Sequence, residues 1–251
     1  MKTTSVVLAT YNEEKNLGDC LKSIEGIADE IIVVDGSSTD KTVEMAKQFG
    51  AKVKVTTNKP IFHINKQIAI DMATKDWVLQ LDADERVTSE LGKEIKSVVS
   101  RQSSDINGYW IPRKNWFLGR FLMKGGVYPD YTLRLYKRGK GKLPQKDVHE
   151  QAVVDGETAH LKNPLLHMAD REFSRYLMRW NRYVNLFRDQ LKQQKLGPFA
   201  PIQYLILKPV WWFLLTYIRH KGFMDSWQGF VFSFFSSLRF PVAYIKYLVK
   251  S

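Results

Sequence analysis

The chain has 251 residues, 44% hydrophobic and 25% charged, enough apolar material for a core and too mixed for disorder or collagen. Its single cysteine, Cys20, excludes an intramolecular disulfide framework and a Cys-rich zinc module, and fits a reducing compartment such as the cytoplasm. The net charge of +12 is unevenly spread: 13 of the 38 Lys and Arg but only 3 of the 26 Asp and Glu follow residue 170, leaving 25 against 23 before it. The same final third carries 20 of the 32 aromatic residues. Basic and aromatic residues together predict a surface for anionic lipid or nucleic acid, and the near-neutral remainder reads as an enzyme domain.

The first residues offer only a short apolar stretch, too short for the core of a secretory signal, so no export is expected. Short β-branched runs then alternate with helical patterns, which predicts a parallel sheet with helices on both faces. Strands are expected at 5–9, 30–34, 52–55 and 77–81. Helices are expected at 14–24, 40–49, 65–73 and after Thr88, a natural N-cap. From 108 to 167 short apolar segments such as Tyr109-Trp110-Ile111 and Thr132-Leu133-Arg134-Leu135-Tyr136 predict antiparallel additions at the sheet's edge. Residues 171–195 form an amphipathic helix, with Phe173, Leu177, Trp180, Val184, Phe187 and Leu191 at spacings of four and three and Arg175, Arg179 and Arg182 on a neighbouring face. Two aromatic runs follow, at 204–218 and 227–238. Neither reaches the ~20 apolar residues of a spanning helix, so an in-plane, interfacial role is expected. The domains are therefore read as 1–170, divided near residue 100, and a basic helical region at 171–251.

The strongest chemical signal is Leu79-Gln80-Leu81-Asp82-Ala83-Asp84-Glu85. If the extended geometry continues past the strand, both carboxylates point to one side at the carboxyl edge of a parallel sheet, where open α/β sheets bind ligands. Two neighbouring carboxylates repel unless a cation compensates, and Mg²⁺ or Mn²⁺ could then bridge them to a diphosphate. Asp35 stands at the tip of an earlier strand, before Gly36 and the capping run Ser37 to Asp40. Ala9-Thr10-Tyr11-Asn12-Glu13 reaches the same edge.

In this order and spacing, VVLATYNEEKNL, IIVVDGSSTDKT and LQLDADE resemble the nucleotide-binding half of family 2 glycosyltransferases, which have the α/β GT-A fold, a Rossmann-like mostly parallel sheet flanked by helices. Within that family the sequence is most similar to bacterial lipopolysaccharide core glucosyltransferases. The resemblance implies that Thr10, Tyr11 and Glu13 surround the nucleoside and that Asp35 contacts base or ribose. It further implies that Asp82 faces ribose and metal and that Asp84 coordinates the metal. Lys66-Gln67 stands where the family often has Arg-Asn, and Lys66 would meet a phosphate as a point charge. The usual Glu-Asp base pair is missing. Asp147-Val148-His149-Glu150 is the nearest substitute, with Glu150 as base and His149 as its rival. His167 is a candidate third metal ligand, suited to Mn²⁺. Arg134 and Lys137 are candidates for the leaving diphosphate or an anionic acceptor, and Asp130 for the acceptor.

With these residues, the resemblance implies a metal-dependent, inverting transfer of a hexose, with UDP-glucose as donor, to a lipid-linked saccharide such as lipopolysaccharide core. The enzyme would sit peripherally on the anionic cytoplasmic face of the inner membrane, with Mn²⁺ or Mg²⁺ as cofactor and no nucleic acid as partner. Two rival readings are transfer to a polyprenyl phosphate and a non-catalytic membrane or nucleic-acid binder.

Overall fold

The computed structural model describes residues 2–59, 61–101, 105–144 and 151–249. The chain begins β1 (Thr4–Thr10), α1 (Glu14–Ser23), β2 (Glu30–Asp35), α2 (Thr42–Gln48), β3 (Lys52–Val55), α3 (His63–Asp71), β4 (Trp77–Leu81), β5 (Glu85–Val87) and α4 (Ser89–Ser100). A β-rich stretch follows, with β6 (Ile106–Phe117), β7 (Arg120–Leu122), β8 (Asp130–Lys137), β9 (Gly141–Lys142), β10 (Val153–Val154), β11 (Glu157–His160) and β12 (Leu165–Asp170). The expected strands and helices of the first hundred residues are all present, with ends displaced by a few residues. The three-residue β5 is an addition.

β3, β2, β1 and β4 lie side by side in that order, and each neighbouring pair is parallel. β8 then runs antiparallel to β4, and β6 antiparallel to β8. The order reverses between β1 and β4, so their carboxyl ends open a crevice of the kind where doubly wound sheets bind ligands. The alternation of β1 explains the two cores: Val6 and Leu8 pack on one face with Leu17, Leu21, Leu91 and Ile95. Val7 faces the other way, with Ile32, Val34, Ala69 and Ile70. Thr88 caps α4 as expected, its Oγ1 accepting from Leu91 N at 3.2 Å.

The chain forms two compact units, Met1–Arg113 with Asp130–His167 and Lys114–Pro129 with Met168–Ser251. In the second, β7 pairs with the end of β6, and Asp225 accepts from the backbone amides of Met123 and Lys124 at 2.9 and 2.7 Å. After β12 the regular elements of this unit are helical. α5 (Phe173–Lys192) is followed by a continuous stretch in which α6 (Ala200–Ile202) and α7 (Lys208–Phe213) alternate with π turns at Gln203–Leu207 and Leu214–Arg219. A short 3-10 turn leads into α8 (Ser226–Val249). The α5 pattern holds at Val184 and Leu191, which are fully buried, and at Trp180 and Phe187 packed beside them, whereas at the start of the helix Phe173 is exposed and Tyr176, outside the expected stripe, is the buried residue. Among the described residues no helix is long and apolar enough to cross a membrane.

Candidate active site

Two loops build the first side of the site, because β1 and β2 end together with Thr10 opposite Asp35. Asp35 is fully buried and braces both loops. It accepts from Thr10 Oγ1 at 2.8 Å, from Ser38 N at 2.7 Å and from Ser38 Oγ at 2.6 Å. Asn12 N donates to Ser38 Oγ and Thr39 N donates to Asn12 Oδ1. A Cβ on Gly36 would come within 3.1 Å of Asn58 Cα, a tight approach that favours the smallest residue where those backbones meet. Glu13 accepts from Asn16 Nδ2 at 2.8 Å. Tyr11 is the exposed member, at 45%. The strand-tip position expected for Asp35 is therefore found, but both its oxygens serve the loop.

At the tip of β4 the chain turns instead of continuing extended: Glu85 N donates to Asp82 O, and Asp82 N donates to Glu85 Oε2, both at 2.9 Å. The extended continuation expected past β4 is therefore not found, and the two carboxylates have different partners. Asp82 is ion-paired with Lys66 and, at 2.6 Å, with Arg134 Nη2. The same Arg134 nitrogen donates to Glu85 Oε1 at 2.8 Å, and Arg113 Nη1 approaches that oxygen at 3.4 Å. Arg113 also donates through Nε and Nη2 to Asp130 Oδ2, at 3.0 and 2.7 Å.

The result is a ladder of strictly alternating charge: Lys66, Asp82, Arg134, Glu85, Arg113, Asp130. Its centre is almost sealed, with Glu85, Lys66 and Arg134 at 0%, 5% and 7% exposure. Burial disfavours ionised Asp82, but the Arg134 and Lys66 charges outweigh it and hold the carboxyl well below the usual carboxylate range. Burial pulls the Lys66 ammonium below its ordinary value, against the Asp82 charge. Burial likewise opposes the Arg134 charge, yet Asp82 and Glu85 raise its pKa. Arg134 Nε is a buried donor with no acceptor among the described residues.

Asp84 stands outside the ladder, with its Oδ2 3.6 Å from His167 Nε2, and both side chains are largely buried. Among the described residues no group of three or more His, Cys, Asp or Glu is gathered as a metal cage. Of the three expected metal ligands, the structure brings together Asp84 and His167 and gives Asp82 to the cations. A carboxylate oxygen and an imidazole nitrogen are a donor set that would suit a divalent ion such as Mn²⁺.

Lys137 is not at this site. β8 runs antiparallel to β4, so Lys137 pairs in register with Trp77 at the start of β4, and its ammonium donates to Asn107. Gln67 is structural, accepting from Leu143 N and donating to Asp71. Asp147, His149 and Glu150 lie outside the described residues. Sequence reasoning assigned no role to Glu85 or Arg113. A three-residue strand shows no alternation to mark a buried Glu, and Arg113 looks like any charge on a strand until its partners are seen.

Residues 5–153 match the family described as Glycosyl transferase family 2. The chain belongs to this family. It is 29% identical over 94% of its length to the lipopolysaccharide core biosynthesis glycosyltransferase LpsC of Rhizobium meliloti, covering 90% of that protein. It is 30% identical to an uncharacterized glycosyltransferase of Rickettsia typhi, over 92% of this chain and 82% of the relative. Among solved structures, the mannosyltransferase PcManGT of Pyrobaculum calidifontis, in complex with GDP-Man and Mn²⁺, is 13% identical. It covers 100% of this chain and 88% of its own at a TM-score of 0.58. The fold of this family 2 glycosyltransferase is GT-A, with its charge ladder at the carboxyl edge of the parallel strands.

Proposed function

We propose that the chain is an inverting, metal-dependent hexosyltransferase. It moves a sugar, with UDP-glucose the donor of choice, to a lipid-linked saccharide of the lipopolysaccharide-core type, peripherally at the cytoplasmic face of the inner membrane. The observation that carries this reading is the buried ladder Lys66–Asp82–Arg134–Glu85 beside the Asp84–His167 pair. Lys66 and Arg134 are held in place at the end of β4 by their carboxylate partners, preorganised donors beside a diphosphate whose leaving group gains negative charge as the glycosidic bond breaks. The name of the relative LpsC supports the acceptor class.

In this reading Thr10, Tyr11 and Glu13 line the nucleoside side, and Asp35 acts indirectly by bracing the two loops that shape it. Asp84 and His167 would hold the divalent ion, with Asp82 turned toward the ribose. When bound, the ion supplies Lewis-acid neutralisation of the diphosphate. Lys66 and Arg134 hold Asp82 ionised and oriented, and lend positive charge that needs no reorganisation during transfer. Glu150 takes the acceptor hydroxyl's proton, with His149 as the rival base. Calorimetric titration with UDP, GDP and their sugars, with and without Mn²⁺, tests the donor site. Binding of a UDP species that strengthens with Mn²⁺ is expected, and no binding of any of them sinks the proposal. The anomeric configuration of the product, read by NMR, decides inversion.

A further inference from the structure

The helical stretch 200–219 shows a repeat of four. Ala200, Tyr204, Trp212 and Thr216 face inward, and Tyr204 stacks on Tyr244 of α8 at 5.5 Å. Trp212 Nε1 donates to Ser236 Oγ at 2.6 Å. Two residues on, the opposite phase reads Ile202, Ile206, Val210, Leu214, Ile218, exposed at 51%, 56%, 54%, 49% and 54%. An α-helix has 3.6 residues per turn, so a repeat of four would drift around it. The π turns at 203–207 and 214–219 are wider than α turns, and alternating the two keeps the aliphatic stripe on one side. The chain thus departs from regular α-helix in a way that aligns five exposed aliphatic side chains.

No charge interrupts this face. Lys208, the single ionic residue between Ile202 and Ile218, falls on the seated phase instead, with its ammonium 3.7 Å from the Tyr204 ring centroid. Trp211 and Trp227 add exposed rings, at 65% and 56%, of the amphipathic kind that settles at headgroup level. Between Asp189 and Asp225 there is no acidic residue, while Lys192, Lys195, Arg219 and Lys221 flank the stripe. A two-fold pairing of this patch with a second copy of itself offers no acidic partner for those cations. An anionic lipid surface offers one at both ends.

We infer that the stripe Ile202–Ile206–Val210–Leu214–Ile218 is the surface by which this unit lies in the headgroup–acyl boundary of an anionic phospholipid leaflet. The helix axis is parallel to the membrane plane, because its other side is held by α8. The inference deepens the peripheral-membrane part of the proposed function and rests on it. Cys20, the one native cysteine, is fully buried, so single cysteines at the five stripe positions in the full chain can be labelled with an environment-sensitive fluorophore.

With phosphatidylglycerol–phosphatidylethanolamine vesicles, all five labels shift to the blue, while a label at exposed Lys47 in α2 does not. The double variant Ile206→Asp, Val210→Asp weakens vesicle binding by about tenfold or more, with thermal midpoint and UDP binding unchanged. Co-sedimentation without label shifts overturns the inference and leaves membrane association standing. Absence of co-sedimentation overturns both. Blue shifts that depend on protein concentration without vesicles assign the stripe to self-association and overturn it as well.

Discussion

The two units treat charge and apolar surface in opposite ways. In the first, Lys66, Arg134 and Glu85 are sealed from water in an alternating ladder, while the surrounding strands bury nearly every aliphatic side chain. In the second, Ile206, Trp211 and Trp227 are more than half exposed, and most cations stay at the surface. A buried charge is tolerated only when paired, so each member of the ladder depends on its neighbours. An exposed aliphatic stripe has no such internal dependence and waits for an external partner. Changes in the ladder should therefore alter activity and folding and leave vesicle binding intact. Changes on the stripe should do the reverse.

The most severe test of that contrast is Arg134→Ala, which leaves Asp82 and Glu85 facing each other without their shared cation. Unfolding free energy should fall by about 3–5 kcal/mol, measured by denaturant titration, with transfer abolished; Arg134→Lys should restore only part of either. Near-native stability of the alanine variant would break the ladder as a cooperative unit. Next in size, Glu150→Gln should reduce transfer by about 10²–10⁴-fold with UDP binding retained. Substantial residual activity would favour an acceptor that is already anionic, such as a polyprenyl phosphate. Asp84→Ala should cost about 10²–10³-fold in turnover and remove the Mn²⁺ dependence of UDP binding in calorimetry, while Asp82→Asn, through loss of the Lys66 and Arg134 partners, should also lower stability.

Smaller effects test the scaffold. Glu30 is bonded to Lys52, Ser5 and Thr74. Burial disfavours its charge, but these bonds prevail and lower its pKa from the ordinary 4.5 to about 2. A depressed carboxyl stabilises the fold fully above its unfolded value, so stability should decline as pH falls from 4.5 toward 2. Glu30→Gln should flatten that acid limb in thermal melts taken from pH 6 to pH 2. Thr88→Ala, removing the α4 cap, should cost about 1 kcal/mol.

Much of the first unit was legible from local pattern. Buried strands announce themselves by β-branched runs, Thr88 by its place before a helical period, and Asp35 and Asp82 by ending apolar strands. Positions of side chains across strands were not legible. Arg134 reaches Asp82 while Lys137, three residues on, lies beside the start of β4, because β8 runs antiparallel to it. The turn that separates Asp82 from Asp84 is fixed by Glu85, whose carboxylate accepts from Asp82 N, a long-range arrangement completed by Arg134 and Arg113.

By itself the sequence determined the alternation of strands and helices, the acidic strand tips, the family resemblance and the basic, aromatic character of the last third. These are properties of neighbours in the chain, set by periodicities of two and 3.6 and by residue chemistry. Tertiary structure alone decided which cation meets which carboxylate, that Asp84 pairs with His167, and that π turns bring five aliphatic residues into line. Such outcomes depend on register between distant segments, and packing rather than local propensity selects that register.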